Sequence, residues 1–145
     1  MLFGAWMKSV TKRIALASVA GSLVSACTYQ ADILSAKYEE TDTNEGLVSI
    51  EIPRPSAEVI KDWEIYFSIH VSECRKEDEG YPVEPFIERV RASEFSFSVA
   101  GDRVLVSGSI PRRVFEQFQH PCASLNGGSY MLRKMRSNEA PISEV

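Results

Sequence analysis

Few residues in this chain have the types and spacing for chemistry. There are three cysteines, Cys27, Cys74 and Cys122, and two histidines, His70 and His120. A structural or catalytic zinc site needs three or four closely organised ligands, and this set supplies no CxxC pair and no paired histidines. A reactive thiol needs a base beside it. His120 stands two residues before Cys122, but the rigid Pro121 between them makes a poor thiol–imidazole pair. His70 alternates onto the polar side of a strand pattern, where a solvated or hydrogen-bonded imidazole is the plain reading. Nucleophile elbows and glycine-rich phosphate loops are missing as well. The 20 carboxylates are not arranged by sequence into any facing pair, which leaves glycosidase chemistry open but unsupported. We expect no catalytic residue, no metal and no cofactor.

Cys27 is distinguished by what precedes it. Lys8, Lys12 and Arg13 are followed by an uncharged run, Ile14 to Val24, and then by the small residues Ser25 and Ala26. A basic segment followed by a short apolar one is the pattern of a secretory signal. At 11 residues the run is too short for a bilayer core, which takes about 20. The four residues Val24-Ser25-Ala26-Cys27 resemble the lipobox of bacterial lipoproteins. That resemblance covers the first 27 residues and implies cleavage before Cys27, diacylglycerol on its sulfur, and a fatty chain such as palmitate on the freed amine. Thr28, in place of an aspartate, implies passage to the outer membrane, facing the periplasm. The alternatives are a plain signal peptide and a buried apolar helix. "MKSVTKR" is the more ordinary leader start, which points to Met7 as an initiator.

Removing residues 1–26 leaves 119, enough for one modest domain. With Cys27 acylated, Cys74 and Cys122 are an even pair in an exported chain, and a disulfide between them is expected. It would close a long loop and stabilise by roughly 4 kcal/mol. The leader takes with it three of the 16 basic residues and none of the 20 acidic ones, so the mature chain stands near −7. That balance, with export, excludes nucleic acid as an expected partner. Acids outnumber bases 13 to five from Asp32 to Glu79, whereas Arg103 to Arg136 holds six bases and one acid. Both can be solvated faces attracting one another. The sharper reading makes Arg112, Arg113, Arg133, Lys134 and Arg136 a contact for an acidic partner or anionic headgroups.

The elements that would position these groups follow from periodicity. Residues 27–46, lipidated cysteine and polar acidic stretch, predict a flexible tether of up to about 60 Å. A β-rich domain is expected over 47–138, with a frayed tail over 139–145. Val48, Ile50 and Ile52 alternate as a strand ended by Pro53 and Pro55, and Ser56 reads as the N-cap of a helical turn. Trp63, Ile65, Phe67, Ile69 and Val71 form one face of the strongest strand. Residues 84–92 predict a short helix and 94–111 a hairpin turning at Gly101-Asp102. Residues 112–119 predict a second helix, 126–128 a turn, and 129–137 a last strand. The expected fold is α+β, a mainly antiparallel sheet with two short helices; a β-sandwich is the alternative. Function is expected to be non-catalytic binding or assembly in the envelope, held to membrane lipid through Cys27 and serving an envelope protein partner. The alternative is an inhibitor or immunity protein against a lysozyme-like or toxin enzyme.

Overall fold

A computed structural model describes residues 28–77 and 80–145. Residues 1–27, where the leader and the lipobox with Cys27 are expected, lie outside the described residues. Eleven strands and two short helices follow in the order β1 (Thr28–Ala31), β2 (Ser35–Glu40), β3 (Glu45–Pro53), α1 (Arg54–Asp62), β4 (Tyr66–Glu73), β5 (Tyr81–Val83), β6 (Phe86–Ile87), β7 (Val90–Arg91), β8 (Arg103–Pro111), α2 (Arg112–Phe115), β9 (Pro121–Gly128), β10 (Lys134–Ser137) and β11 (Ala140–Glu144). This is the expected α+β class. Eight of ten strand pairings are antiparallel, and two, β1 with β10 and β2 with β11, are parallel.

β3 anchors one side. It pairs with β8 over its whole length, Glu45 opposite Pro111 to Pro53 opposite Arg103, and with β2 on its other edge. Its even residues Val48, Ile50 and Ile52 are fully buried, as the alternation requires. β4 anchors the other side against β9, with Ile69 and Val71 fully buried and Phe67 nearly so. The chain over 81–87 then joins the two sides, pairing with β4 through β5 and with β8 through β6. The sheet thereby curls back on itself, and few strand edges are left open.

The tether is not a tether. β1 and β2 run alongside β10 and β11, and the gap between the two ladders is filled by one side chain. Asn138 Oδ1 accepts the Ile33 N–H at 2.7 Å, and its Nδ2 donates to the Ile33 carbonyl at 3.2 Å. Residues 28–40 and 134–144 are therefore paired almost end to end. The tail is not frayed either, because β11 sits inside the sheet between β9 and β2.

Four local expectations also change. Residues 86–91 form a tight hairpin, with Glu88 (φ 51°) and Arg89 (φ 65°) both left-handed as a type I′ turn needs. Residues 95–100 are irregular and make no hairpin with β8, whose edges are taken by β3 and β6; Phe97 is nevertheless fully buried. Ser56 is not an N-cap. Pro53 holds the N-cap position of α1 and Pro55 lies in its first turn, while the buried Ser56 hydroxyl meets Tyr29 Oη at 3.2 Å. α1 ends where Ile65 N–H donates to Ile60 O (3.0 Å) and Glu64 N–H to Lys61 O (3.2 Å), with Glu64 left-handed at φ 50°. That closure turns the chain straight into β4. Finally, residues 126–128 belong to β9. Gly127 is there for close approach, since a Cβ would meet the Tyr66 carbonyl at 2.3 Å. The turn falls later, over 129–133.

Gly46 tests the β2–β3 packing. The Tyr38 ring lies over it, so that a Cβ at 46 would come within 2.1 Å of the ring. The other face of Tyr38 stacks on Phe115 at 3.7 Å between centroids. Gly46→Ala must push the ring into Phe115 and is expected to cost about 1–3 kcal/mol in urea unfolding. An unchanged midpoint would contradict this packing.

Candidate functional site

The five basic candidates do not form one patch. Strand register carries Arg112 and Arg113 beyond the Glu45–Pro111 end of β3 and β8, the end toward which β11 runs. Arg133 and Lys134 stand at the opposite end, where β9 reaches Gly128. The two groups differ in electrostatics as well.

Arg112 is already neutralised inside the chain. Its Nε lies 2.7 Å from Glu116 Oε1 and 3.3 Å from Glu40 Oε1. The hydrogen-bonded Glu116 carboxylate, with Glu40 adding to it, holds the guanidinium above its ordinary range. Its backbone N–H donates to Asn44 O at 2.8 Å, in a turn nucleated by Asp42, whose Oδ1 accepts the N–H groups of Asn44 and Glu45. An open hollow of about 560 Å³ lies here between the turn and α2. For Arg112 the structure shows internal charge attraction. Arg113 is exposed beside it.

The other end combines aromatic rings, exposed apolar side chains and unpaired cations. Arg133 places its guanidinium 4.7 Å from the centre of the Trp63 ring, and Trp63 meets the Tyr29 ring edge-on at 6.0 Å. Tyr66 makes edge contacts with Phe95 (5.0 Å) and Tyr130 (5.5 Å). The loop from Ser129 to Arg133 is closed by the Ser129 N–H donating to the Arg133 carbonyl at 2.8 Å. At its tip Tyr130, Met131 and Leu132 are 88%, 79% and 83% exposed. On β10, Lys134 and Arg136 point outward while Met135 between them is fully buried. Among the described residues, none of Arg133, Lys134 and Arg136 forms an ion pair. The three exposed apolar residues were hidden from periodicity reasoning, because they read as one more alternating strand. The signal that could have found them is the juxtaposition of "GGS" before and "RK" after a Tyr-Met-Leu triplet.

No family model matches the chain, and neither does any curated protein or solved structure.

Cys74 and Cys122 are bonded, with 5.0 Å between their Cα atoms. The Glu73 carboxylate supports the bridge by accepting the backbone N–H groups of Gln119 and His120, and Cys74 N–H donates to the His120 carbonyl at 2.8 Å. Cys122 is thus committed to structure, and His120 has Glu73 rather than a thiol as neighbour, at 3.9 Å. An apolar-lined hollow of about 790 Å³ opens beside the bridge, bordered by Pro121, Pro141 and Ile142. Among the described residues no group of three or more His, Cys, Asp or Glu could hold a metal ion. No described helix is long and apolar enough to cross a membrane.

Tyr38 offers a pH test of the neutralised end. Burial first, then the Glu40 carboxylate, raise its hydroxyl pKa, with Arg112 opposing. Its Oη is buried without a hydrogen-bond partner among the described residues. A raised folded pKa means that the contribution is fully present below the unfolded value near 10 and is lost as pH rises through the folded value. Tyr38→Phe is expected to leave stability at neutral pH unchanged and to remove part of the loss above about pH 10. Urea midpoints measured across that range decide it; a clear loss at neutral pH would reveal a hydrogen bond this geometry lacks.

Proposed function

We propose that the protein is a lipid-anchored lipoprotein of the bacterial envelope, a non-catalytic binding or assembly module standing at the periplasmic face of the outer membrane. One observation carries the reading. The lipobox-like Val24-Ser25-Ala26-Cys27 stands directly before Thr28 of β1, so a lipid on Cys27 would sit against the folded sheet. The oxidised Cys74–Cys122 bridge supports export, because such bridges persist outside the reducing cytosol. Two or three acyl chains would give a lasting tether where one chain of myristoyl length does not.

The folding of residues 28–46 into the sheet changes how such a module works. A leash would let the domain search a wide shell of space, whereas a domain that begins one residue after its lipid stands directly on the membrane. It serves a partner already at the bilayer surface, such as a subunit of an envelope complex. Among the described residues Arg133, Lys134 and Arg136 form no ion pair, and they are taken to hold the domain to the anionic bilayer surface at which that partner lies, with the already paired Arg112 left out.

Two measurements test this. Mass spectrometry of the native product should find an N-terminal acylated Cys27, and Cys27→Ala should abolish lipidation; an intact leader or an unmodified chain in the wild type overturns the reading. Crosslinking in the native envelope should recover a resident envelope protein, and replacing Arg133, Lys134 and Arg136 with glutamate should weaken that capture about tenfold or more. Recovery of an added lysozyme or toxin alone, with loss of its activity, would instead establish an inhibitor.

A further inference from the structure

We infer that the loop from Ser129 to Arg133 is a second membrane contact, seating Tyr130, Met131 and Leu132 in the outer acyl and headgroup layer while Arg133, Lys134 and Arg136 meet anionic headgroups. This deepens the proposed function and rests on its lipid anchor.

The argument starts from register. Thr28 pairs with Lys134, and Lys134 pairs with Gly128, so β1, β10 and the end of β9 lie side by side with the loop at their tip. Any group carried on the residue before Thr28 starts within one peptide unit, about 3.8 Å, of β1. Acyl chains on Cys27 would therefore enter the bilayer beside the tip of the loop, without a spacer to hold the domain away.

What the loop presents matches that position. Its three apolar side chains are among the most exposed in the described structure. Packing within the domain does not cover them, and Tyr130 touches only the edge of Tyr66 among the rings. Tyrosine and methionine beside a leucine, with cations one to six residues away, reproduce the interfacial composition of a segment lying at headgroup level. Each cation near an anionic surface adds attraction that reaches only about a Debye length, and the anchor supplies that proximity. The loop itself is short and closed by a backbone hydrogen bond, so little chain ordering opposes insertion. Arg133 is additionally held against Trp63, which fixes the direction of the loop relative to the sheet. The result is an oriented domain: the loop end faces lipid, and the Arg112 end and the disulfide-side hollow face away.

The test uses the full chain, expressed and processed in a bacterial host and reconstituted in vesicles of phosphatidylethanolamine and phosphatidylglycerol with brominated acyl chains. Met131→Trp reports the loop. Val145→Trp is the control, exposed just past β11, which runs toward the Arg112 end. Emission from Met131→Trp, after subtraction of the parent signal, is expected to be quenched by roughly half, and that from Val145→Trp left almost unchanged. Adding glutamate at 133, 134 and 136 should reverse much of the quenching. Equal quenching at the two positions, or none at 131, overturns the inference, including where the loop is found to capture a protein instead. Mass spectrometry of the same preparation reads Cys27 separately. Acylation without quenching leaves the anchor standing and removes the loop contact, whereas quenching without acylation supports the loop and removes the anchor.

Discussion

The interaction on which this structure depends is the parallel pairing of the first described segment with the last. β1 lies on β10, Asn138 bridges to Ile33, β2 lies on β11, and the Val145 N–H closes the run by donating to the Tyr38 carbonyl at 3.0 Å. Nothing local can form this ladder, since about 100 residues separate the partners. Its loop-closure entropy is offset only once β3, β8 and β9 already flank it. The same ladder brings residue 28 and the 129–133 loop to one place, and it therefore sets the direction in which a lipid-anchored domain would face.

A second restraint acts across the molecule. The Cys74–Cys122 bridge joins the end of β4 to the start of β9, and Glu73 holds the 119–120 backbone that delivers Cys122. Between the bridge at one end of the β4–β9 pair and the aromatic contacts of Tyr66 at the other, β9 is held along its whole length. With β10 and β11 sharing its other edge, β9 is the strand through which the two restraints meet. Charge divides along the same axis. Arg112 is matched by Glu40 and Glu116 at one end, and unmatched cations gather at the other.

What could be read directly from the amino acids was whatever local period decides. Phe67 to Val71 and Val48 to Ile52 alternate β-branched and aromatic residues strongly enough that one strand face had to be buried, whereas Trp63, expected on the same strand, ends α1 instead. The disulfide followed from counting thiols. Other segments carried misleading local signals. Phe86, Ile87 and Val90 fall at helical spacing, but a hairpin of two-residue strands has no length over which a period of two can be expressed. Its turn is made by Glu88 and Arg89, without the Asn or Gly that marks left-handed backbone. Residues 28–46 are polar, and their buried positions are mostly small or isolated, namely Ala31, Ile33, Ala36, Tyr38 and Gly46. β1 has its partner more than 100 residues away in β10, and β2 lies between its neighbour β3 and the distant β11. The basic cluster was visible as composition, but its division between two ends was not, because that division is a matter of register.

Hydrogen exchange at the backbone amides of β1 and β2 in the full, disulfide-intact protein tests the parallel ladder most directly. Amides that are bonded across the sheet should exchange slowly, with protection rising toward that of the core strands and with the Ile33 N–H among those held. Uniformly fast exchange over residues 28–40, beside a protected β3 and β4, would restore a loose acidic leash and contradict both the orientation of the domain and the membrane contact drawn from it.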